Sequence, residues 1–296
     1  MDLTGVFAPL PTPFDENDRV DPRRLRSALQ QWVATPLNGF VVLGTNGEIG
    51  LLADDECDLV VETARTIVPE GRPLIAGAGR ESTQATIRAV RRAASLGADA
   101  VLVRTPAFFK AEMTHDNLAR FYGAVADASP VPVLLYNFTA VTGVNLLPAA
   151  VARLATHPNI IGIKESGGDI AQVADLVSST PPDFNVLAGS AGTFYPALCV
   201  GAAGGILALG NALPDACVRL YELTRAGRHE EALALQRELV PIGRMLGPTY
   251  GVAGLKAALN LLGYDVGVPR PPLVPVADSV IPALRDALAR FEEIPA

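Results

Sequence analysis

Short apolar runs rich in β-branched residues recur along the chain at 6–8, 40–43, 74–76, 100–103, 133–136, 160–164, 186–188 and 205–208. Runs of this kind, with little polar alternation, suit strands covered on both faces. Between them lie stretches with helical apolar spacing, among them 54–68, 83–96, 114–126, 148–154 and 170–177. Ser, Thr or Asp often stands at their starts, as helix N-caps do. Strand then helix, repeated about eight times, predicts a parallel sheet with helices outside, and eight strands favour closure into a (β/α)8 TIM barrel. An open doubly wound sheet would carry a glycine fingerprint after the first strand. The chain reads Ala8-Pro9-Leu10-Pro11-Thr12-Pro13-Phe14 there. Beyond Leu209 only helical spacing continues, from Pro214 to Glu293, with prolines between 269 and 275. This predicts a barrel over 1–212 and a C-terminal helical extension over 213–296 packed on it, since no Gly/Ser linker separates them.

Composition narrows the function classes. The 296 residues are 49% hydrophobic with net charge −7, which excludes a disordered chain and gives no basic footprint for nucleic acid. Arg23–Arg24 and Arg91–Arg92 fall in helical stretches and read as solvated faces. The richest apolar stretch, 197–209, is interrupted by glycines, so no membrane span is expected. Met1-Asp2-Leu3-Thr4-Gly5 does not read as a signal peptide. Cys57, Cys199 and Cys217 have no C-x-x-C spacing, which fits a reducing, cytoplasmic setting. His115, His157 and His229 are far apart without ligand spacing, so no metal is expected, and each reads as a surface or capping histidine.

Lysine is scarce: only Lys110, Lys164 and Lys256 occur, against many arginines. Lys164 follows the apolar run Ile160-Ile161-Gly162-Ile163 and precedes Glu165-Ser166, at the C-terminal end of the sixth strand. That face carries the active site in barrels of this type. A lysine buried there disfavours its ammonium form and frees a nucleophilic amine, which arginine cannot do. The competing reading is a strand-end lysine paired with Glu165. Lys110 and Lys256 lie in loop or helix contexts, where a solvated charge is the default.

Two more strand ends carry chemistry-bearing residues. The second strand runs into Gly44-Thr45-Asn46-Gly47-Glu48. Gly44 and Gly47 permit positive φ, and the N–H groups of Thr45 and Asn46 can then grip a carboxylate; an ordinary βα turn is the alternative. The fifth strand ends in Tyr136-Asn137, beside Lys164 on the sixth. Its phenol can relay protons, or it can be a rim tyrosine that packs its ring.

Together, Gly44-Thr45-Asn46-Gly47-Glu48, Tyr136-Asn137 and Gly162-Ile163-Lys164-Glu165-Ser166 resemble the dihydrodipicolinate synthase / N-acetylneuraminate lyase family of class I aldolases. The likeness extends from Gly5-Val6-Phe7 and Thr12-Pro13-Phe14 through the helical tail. Asn46, His157-Pro158-Asn159-Ile160, Leu187-Ala188-Gly189-Ser190-Ala191-Gly192 and Gly251-Val252-Ala253-Gly254-Leu255-Lys256 look most like the 4-hydroxy-2-oxoglutarate aldolase branch. The resemblance implies that Lys164 forms a Schiff base with a 2-oxo acid such as pyruvate and that Tyr136 is the acid/base. It implies that Thr45 and Asn46 hold the carboxylate, Thr45 joining the relay, and that Ser166, Gly189 and Ile206 line the pocket. It also implies no metal or organic cofactor, an aldehyde as second reactant, and a homodimer or homotetramer.

Three departures stand out. The family's Tyr-Asn-x-Pro becomes Tyr136-Asn137-Phe138-Thr139; the synthases' carboxylate-binding arginine becomes Val141; a Thr-Pro-x-Tyr-Tyr-like segment becomes Thr105-Pro106-Ala107-Phe108-Phe109. The expected reaction is therefore cleavage or formation of a C–C bond of a 2-oxo acid, as in 4-hydroxy-2-oxoglutarate to pyruvate and glyoxylate. The alternatives are 4-hydroxy-tetrahydrodipicolinate synthase, a sugar-acid aldolase or dehydratase, and, lower, a non-catalytic 2-oxo-acid binder.

Overall fold

In the computed structural model, which describes residue 1 and residues 3–291, eight parallel strands close into a barrel in sequence order. They are β1 (Gly5–Pro9), β2 (Gly39–Val42), β3 (Leu74–Gly77), β4 (Ala100–Arg104), β5 (Val133–Asn137), β6 (Ile160–Glu165), β7 (Asn185–Ala188) and β8 (Gly204–Ile206). β8 closes on β1 with Gly5 opposite Gly204 and Phe7 opposite Ile206. Only glycine fits that seam, because a Cβ on Gly204 would stand 2.0 Å from the Gly5 carbonyl oxygen. β8 ends earlier than the apolar run suggests: Leu207 donates its N–H to the Phe7 carbonyl at 2.9 Å, and Leu209–Ala212 is helical.

Period-two alternation divides the strands between two cores, interrupted in β6 where its register with β5 shifts between Ile160 and Gly162. Phe7, Val41, Ile75, Ala100, Leu102, Leu134, Tyr136, Leu187 and Ile206 fill the barrel interior. Val6, Phe40, Val42, Leu74, Val101, Val103, Val133 and Leu135 pack outward in the cluster that includes the helices. The outer helices start where capping chemistry dictates. The side chains of Asp21, Ser82, Thr114 and Asp169 accept N–H bonds from the first turns of Pro22–Trp32, Thr83–Ser95, His115–Ala128 and Ile170–Ser179. Each such cap contributes roughly 0.5–2 kcal/mol.

After the barrel come the helices Pro214–Arg225, His229–Arg244, Gly251–Leu261 and Ile281–Ala289. Trp32 links the two parts of the chain: its ring stacks on Tyr264 at 4.9 Å and its indole N–H donates to the Asn211 carbonyl at 3.0 Å. Residues 265–277 are not helical: the proline punctuation at 269–275 interrupts the helices, and the break runs a few residues beyond it on each side. They return to the turn after β2, where Arg270 donates its backbone N–H to Glu48 at 2.8 Å and its guanidinium to Glu56 at 2.6 and 2.7 Å.

Lys256 corrects a second expectation. It is not solvated but 1% exposed, with Nζ 2.7 Å from a Glu48 carboxylate oxygen. It also donates to the carbonyls of Thr12 at 2.7 Å and Val268 at 2.9 Å. Among the described residues, no helix is long and apolar enough to cross a membrane.

Candidate active site

The rim of three adjacent strands sets the site. Arg104 of β4 is in register with Tyr136 of β5, and Tyr136 with Lys164 of β6, so the three residues stand at one level of the barrel. Lys164 is 5% exposed, and its Nζ stands 4.5 Å from the centre of the Tyr136 ring. It has no hydrogen-bond or ion-pair partner among the described residues. The expected alternative, a pair with Glu165, does not form. Neighbours on a strand face opposite ways. Glu165 accepts instead from Asn137 Nδ2 at 2.7 Å, the Gly167 N–H at 2.5 Å and Gln172 Nε2 at 3.0 Å. Asn137 in turn donates to Asn145 at 2.7 Å and accepts the Leu146 N–H at 2.9 Å. This outward network fixes the ends of β5 and β6 and leaves the amine without a counter-charge.

The Tyr136 hydroxyl lies 3.1 Å from Thr45 Oγ1, which joins the phenol to the glycine-rich turn. The turn is shaped differently from the expectation. Positive φ falls on Leu43 and Glu48, both at 56°, and not on Gly44 or Gly47. A left-handed conformation costs such residues about 1–2 kcal/mol. Glu48 is held in it by the Lys256 ion pair and the Arg270 N–H. The close-approach glycine belongs to β3: a Cβ on Gly77 would stand 1.8 Å from the Leu43 carbonyl oxygen. Thr12 Oγ1 donates to the Gly47 carbonyl at 2.7 Å. The N–H groups of Thr45 and Asn46 have no acceptor among the described residues, so both are available to a ligand carboxylate. The Asn46 side chain is half-buried and likewise unpartnered there.

Ser166, Gly189 and Ile206 occupy the ends of β6, β7 and β8. Ser166 Oγ is buried without a partner among the described residues, and a Cβ on Gly189 would meet it at 1.9 Å. Ile206 is fully buried in the barrel interior. Thr139 starts the short helix Thr139–Thr142, and Phe138 before it stacks on Tyr136 at 6.0 Å. Val141 is 56% exposed; Phe108 and Phe109 are 78% and 68% exposed and meet edge to face. Of the other residues weighed, Lys110 is exposed as expected. His157 lies 3.1 Å from Asp127, His229 stands beside Tyr195 and His115 is exposed.

Arg104 went unnoticed in the sequence. The alternation Ala100-Val101-Leu102-Val103-Arg104 is the signal that finds it, because Ala100 and Leu102 face the barrel interior. It lines a small cavity together with Leu43, Gly44, Thr45, Gly79 and Tyr136. Its Nη1 stands 2.8 Å from Glu81 and donates to the Thr105 carbonyl at 3.0 Å. Burial alone would raise the Glu81 pKa. The N–H groups of Phe108 and Ala107 and the Arg104 guanidinium outweigh it and hold the carboxyl below its usual range. A wider cavity of about 770 Å³ opens at the other end of the barrel, between His157, Phe184 and Asn185, away from Lys164. In such barrels that end serves stability, not chemistry.

Comparison with known proteins agrees with this geometry. The family model described as the dihydrodipicolinate synthetase family matches residues 2–291. A 4-hydroxy-tetrahydrodipicolinate synthase from Exiguobacterium sp. is 35% identical over 292 residues, covering 99% of both chains. One from Xanthomonas campestris pv. campestris is 38% identical over 283 residues, covering 96% of this chain and 93% of its own. Among solved structures, a dihydrodipicolinate synthase from Bacillus anthracis superposes with a TM-score of 0.94 at 28% identity, covering 100% of both chains. The Acinetobacter baumannii enzyme, complexed with pyruvate, gives 0.93 at 30% identity, covering 98% of this chain and 99% of its own.

Proposed function

The chain belongs to the dihydrodipicolinate synthetase family, whose members are Schiff-base lyases of the class I type, and from that premise we propose that it joins pyruvate to an aldehyde through Lys164. The observation that carries the reading is the buried, unpaired Lys164 amine over the Tyr136 ring, whose hydroxyl is 3.1 Å from Thr45.

The residues divide the work as follows. The N–H groups of Thr45 and Asn46 bind the carboxylate of the 2-oxo acid and set its C2 carbonyl against Lys164. Such orientation supplies several kcal/mol of the barrier, within the roughly 7–11 kcal/mol open to well-placed reactants. The Lys164 nitrogen adds to C2, and the carbonyl oxygen takes a proton from Tyr136. Thr45 relays protons as the nitrogen gives one up and water leaves. The iminium draws electrons from C3, which loses a proton to form an enamine. In the forming direction the enamine attacks the aldehyde carbon; in the breaking direction C3–C4 cleaves and the aldehyde departs. Hydrolysis returns the free amine. The covalent step replaces a carbanion with a neutral enamine. Ser166 and Gly189 shape the pocket wall and Ile206 its floor.

Of the finer readings, the relatives' shared name favours 4-hydroxy-tetrahydrodipicolinate synthase over the 4-hydroxy-2-oxoglutarate aldolase suggested by the glycine turn, and we adopt the synthase first. The exposed, apolar Val141, where synthases carry an arginine, keeps the aldolase as the second reading. Pyruvate offered with a panel of aldehydes, including aspartate semialdehyde and glyoxylate, separates the two. A homo-oligomer in the cytoplasm completes the proposal: the exposed Phe108–Phe109 pair offers apolar surface for a second subunit.

The test is reductive trapping. Incubation with pyruvate and borohydride should add the mass of a reduced pyruvyl group at Lys164. An unmodified Lys164 after that treatment would overturn the reading.

A further inference from the structure

We propose that Arg104 is the specificity-determining residue for a second carboxylate, so that the substrate chain built at Lys164 carries an acid group on its far end. This rests on the Lys164 reading above and adds the chemistry of the other end of the substrate.

Three observations support it. First, among the described residues Arg104 is the one charged residue lining the cavity that Thr45 and Tyr136 share. Second, its parity on β4 is that of the interior residues Ala100 and Leu102, and it is in register with Tyr136. Two strand spacings, roughly 10 Å, separate its backbone from that of Lys164, a gap that two long side chains and a five-carbon diacid close. Third, the guanidinium is only partly engaged. Both of its bonds use Nη1, while Nε and Nη2 have no partner among the described residues. A guanidinium offers a planar fork that matches a carboxylate with two parallel bonds. Glu81, the carboxylate it now faces, is 46% exposed and fastened to the N–H groups of Ala107 and Phe108, so it holds only one arm of that fork. The second carboxylate then sits on the β3–β4 side of the mouth. Val141, on the segment after β5, offers no cation.

The experiment compares two five-carbon 2-oxo acids that differ at the far end, with three-carbon pyruvate as the reference. The concentration of 2-oxoglutarate giving half-maximal borohydride adduct on Lys164 is set against those of 2-oxopentanoate and pyruvate. In Arg104→Met, the 2-oxoglutarate value should rise by about 10- to 100-fold, the size expected for losing a charge-assisted, bidentate bond. The other two acids should keep their values, and their adducts also report that the variant folds. Arg104→Lys, which keeps charge but loses the fork, should fall between. Glu81→Gln leaves Arg104 in place, frees Nη1 and should lower the 2-oxoglutarate value. Unchanged 2-oxoglutarate trapping in Arg104→Met would overturn the proposal. So would an equal loss for all three acids, which would place Arg104 on the carboxylate beside C2 or in a structural role. A wild-type protein that traps none of them fails at Lys164 and removes both readings together.

Discussion

Lys164 and Lys256 are both buried, and their surroundings are opposites. Lys256 Nζ meets Glu48 at 2.7 Å and two backbone carbonyls, and lies over the Phe14 ring at 4.3 Å. Lys164 Nζ lies over the Tyr136 ring at 4.5 Å and has no acceptor among the described residues. A fully satisfied lysine nitrogen is part of the architecture, because its polar contacts are committed to partners. A buried lysine nitrogen without such partners has the geometry that a carbon electrophile requires. Burial alone therefore does not mark a catalytic lysine; burial without satisfaction does.

The largest expected effect tests that division directly. Lys164→Met should abolish the pyruvate adduct and lower turnover by at least about 10⁴-fold, as removal of a covalent nucleophile does. Urea unfolding should meanwhile show no loss of stability, since no partner is orphaned. A Lys164→Met protein that unfolds much more readily would place the residue with Lys256. The reciprocal change, Lys256→Met, should cost about 3–5 kcal/mol in the same assay, because it strands the Glu48 carboxylate in the interior. Protein that remains folded should still form the Lys164 adduct. The smallest effect is one of pH. Burial, partly offset by Glu48, brings the Lys256 pKa down from 10.5 to about 8. Between those values the unfolded chain holds a proton that the folded one has lost, so this residue's contribution to stability rises with pH across that window. Below it, the full cost of burying the ammonium is present. The stability of the wild type relative to Lys256→Met should therefore increase from pH 8 toward 10.5. A difference that stays flat or shrinks would contradict the assignment.

What the sequence disclosed follows the range of the interactions involved. The eight apolar runs announced the barrel because strand periodicity is local. Lys164 stood out because lysine is rare here and this one ends a strand; Tyr136 is its register partner across one ladder. The burial of Lys256 is not legible locally because two of its partners are distant, Glu48 and Thr12, the latter 244 positions away. The glycine turn was judged by composition. Its left-handed residues are Leu43 and Glu48, because β3 passes beneath the Leu43 carbonyl and the chain's far end grips Glu48. Arg104 was legible in principle, since the same alternation that predicts β4 also predicts which way its last residue points.

The grip on Glu48 also has a consequence in time. A ribosome releases Lys164, Tyr136 and Thr45 well before residues 256 and 270, which lock Glu48 in place. A nascent polypeptide with every strand already emerged thus owns the reactive groups but not the clamp that sets their carboxylate cradle. A chain that stopped short of residue 256 would therefore carry Lys164, Tyr136 and Thr45 with Glu48 unheld.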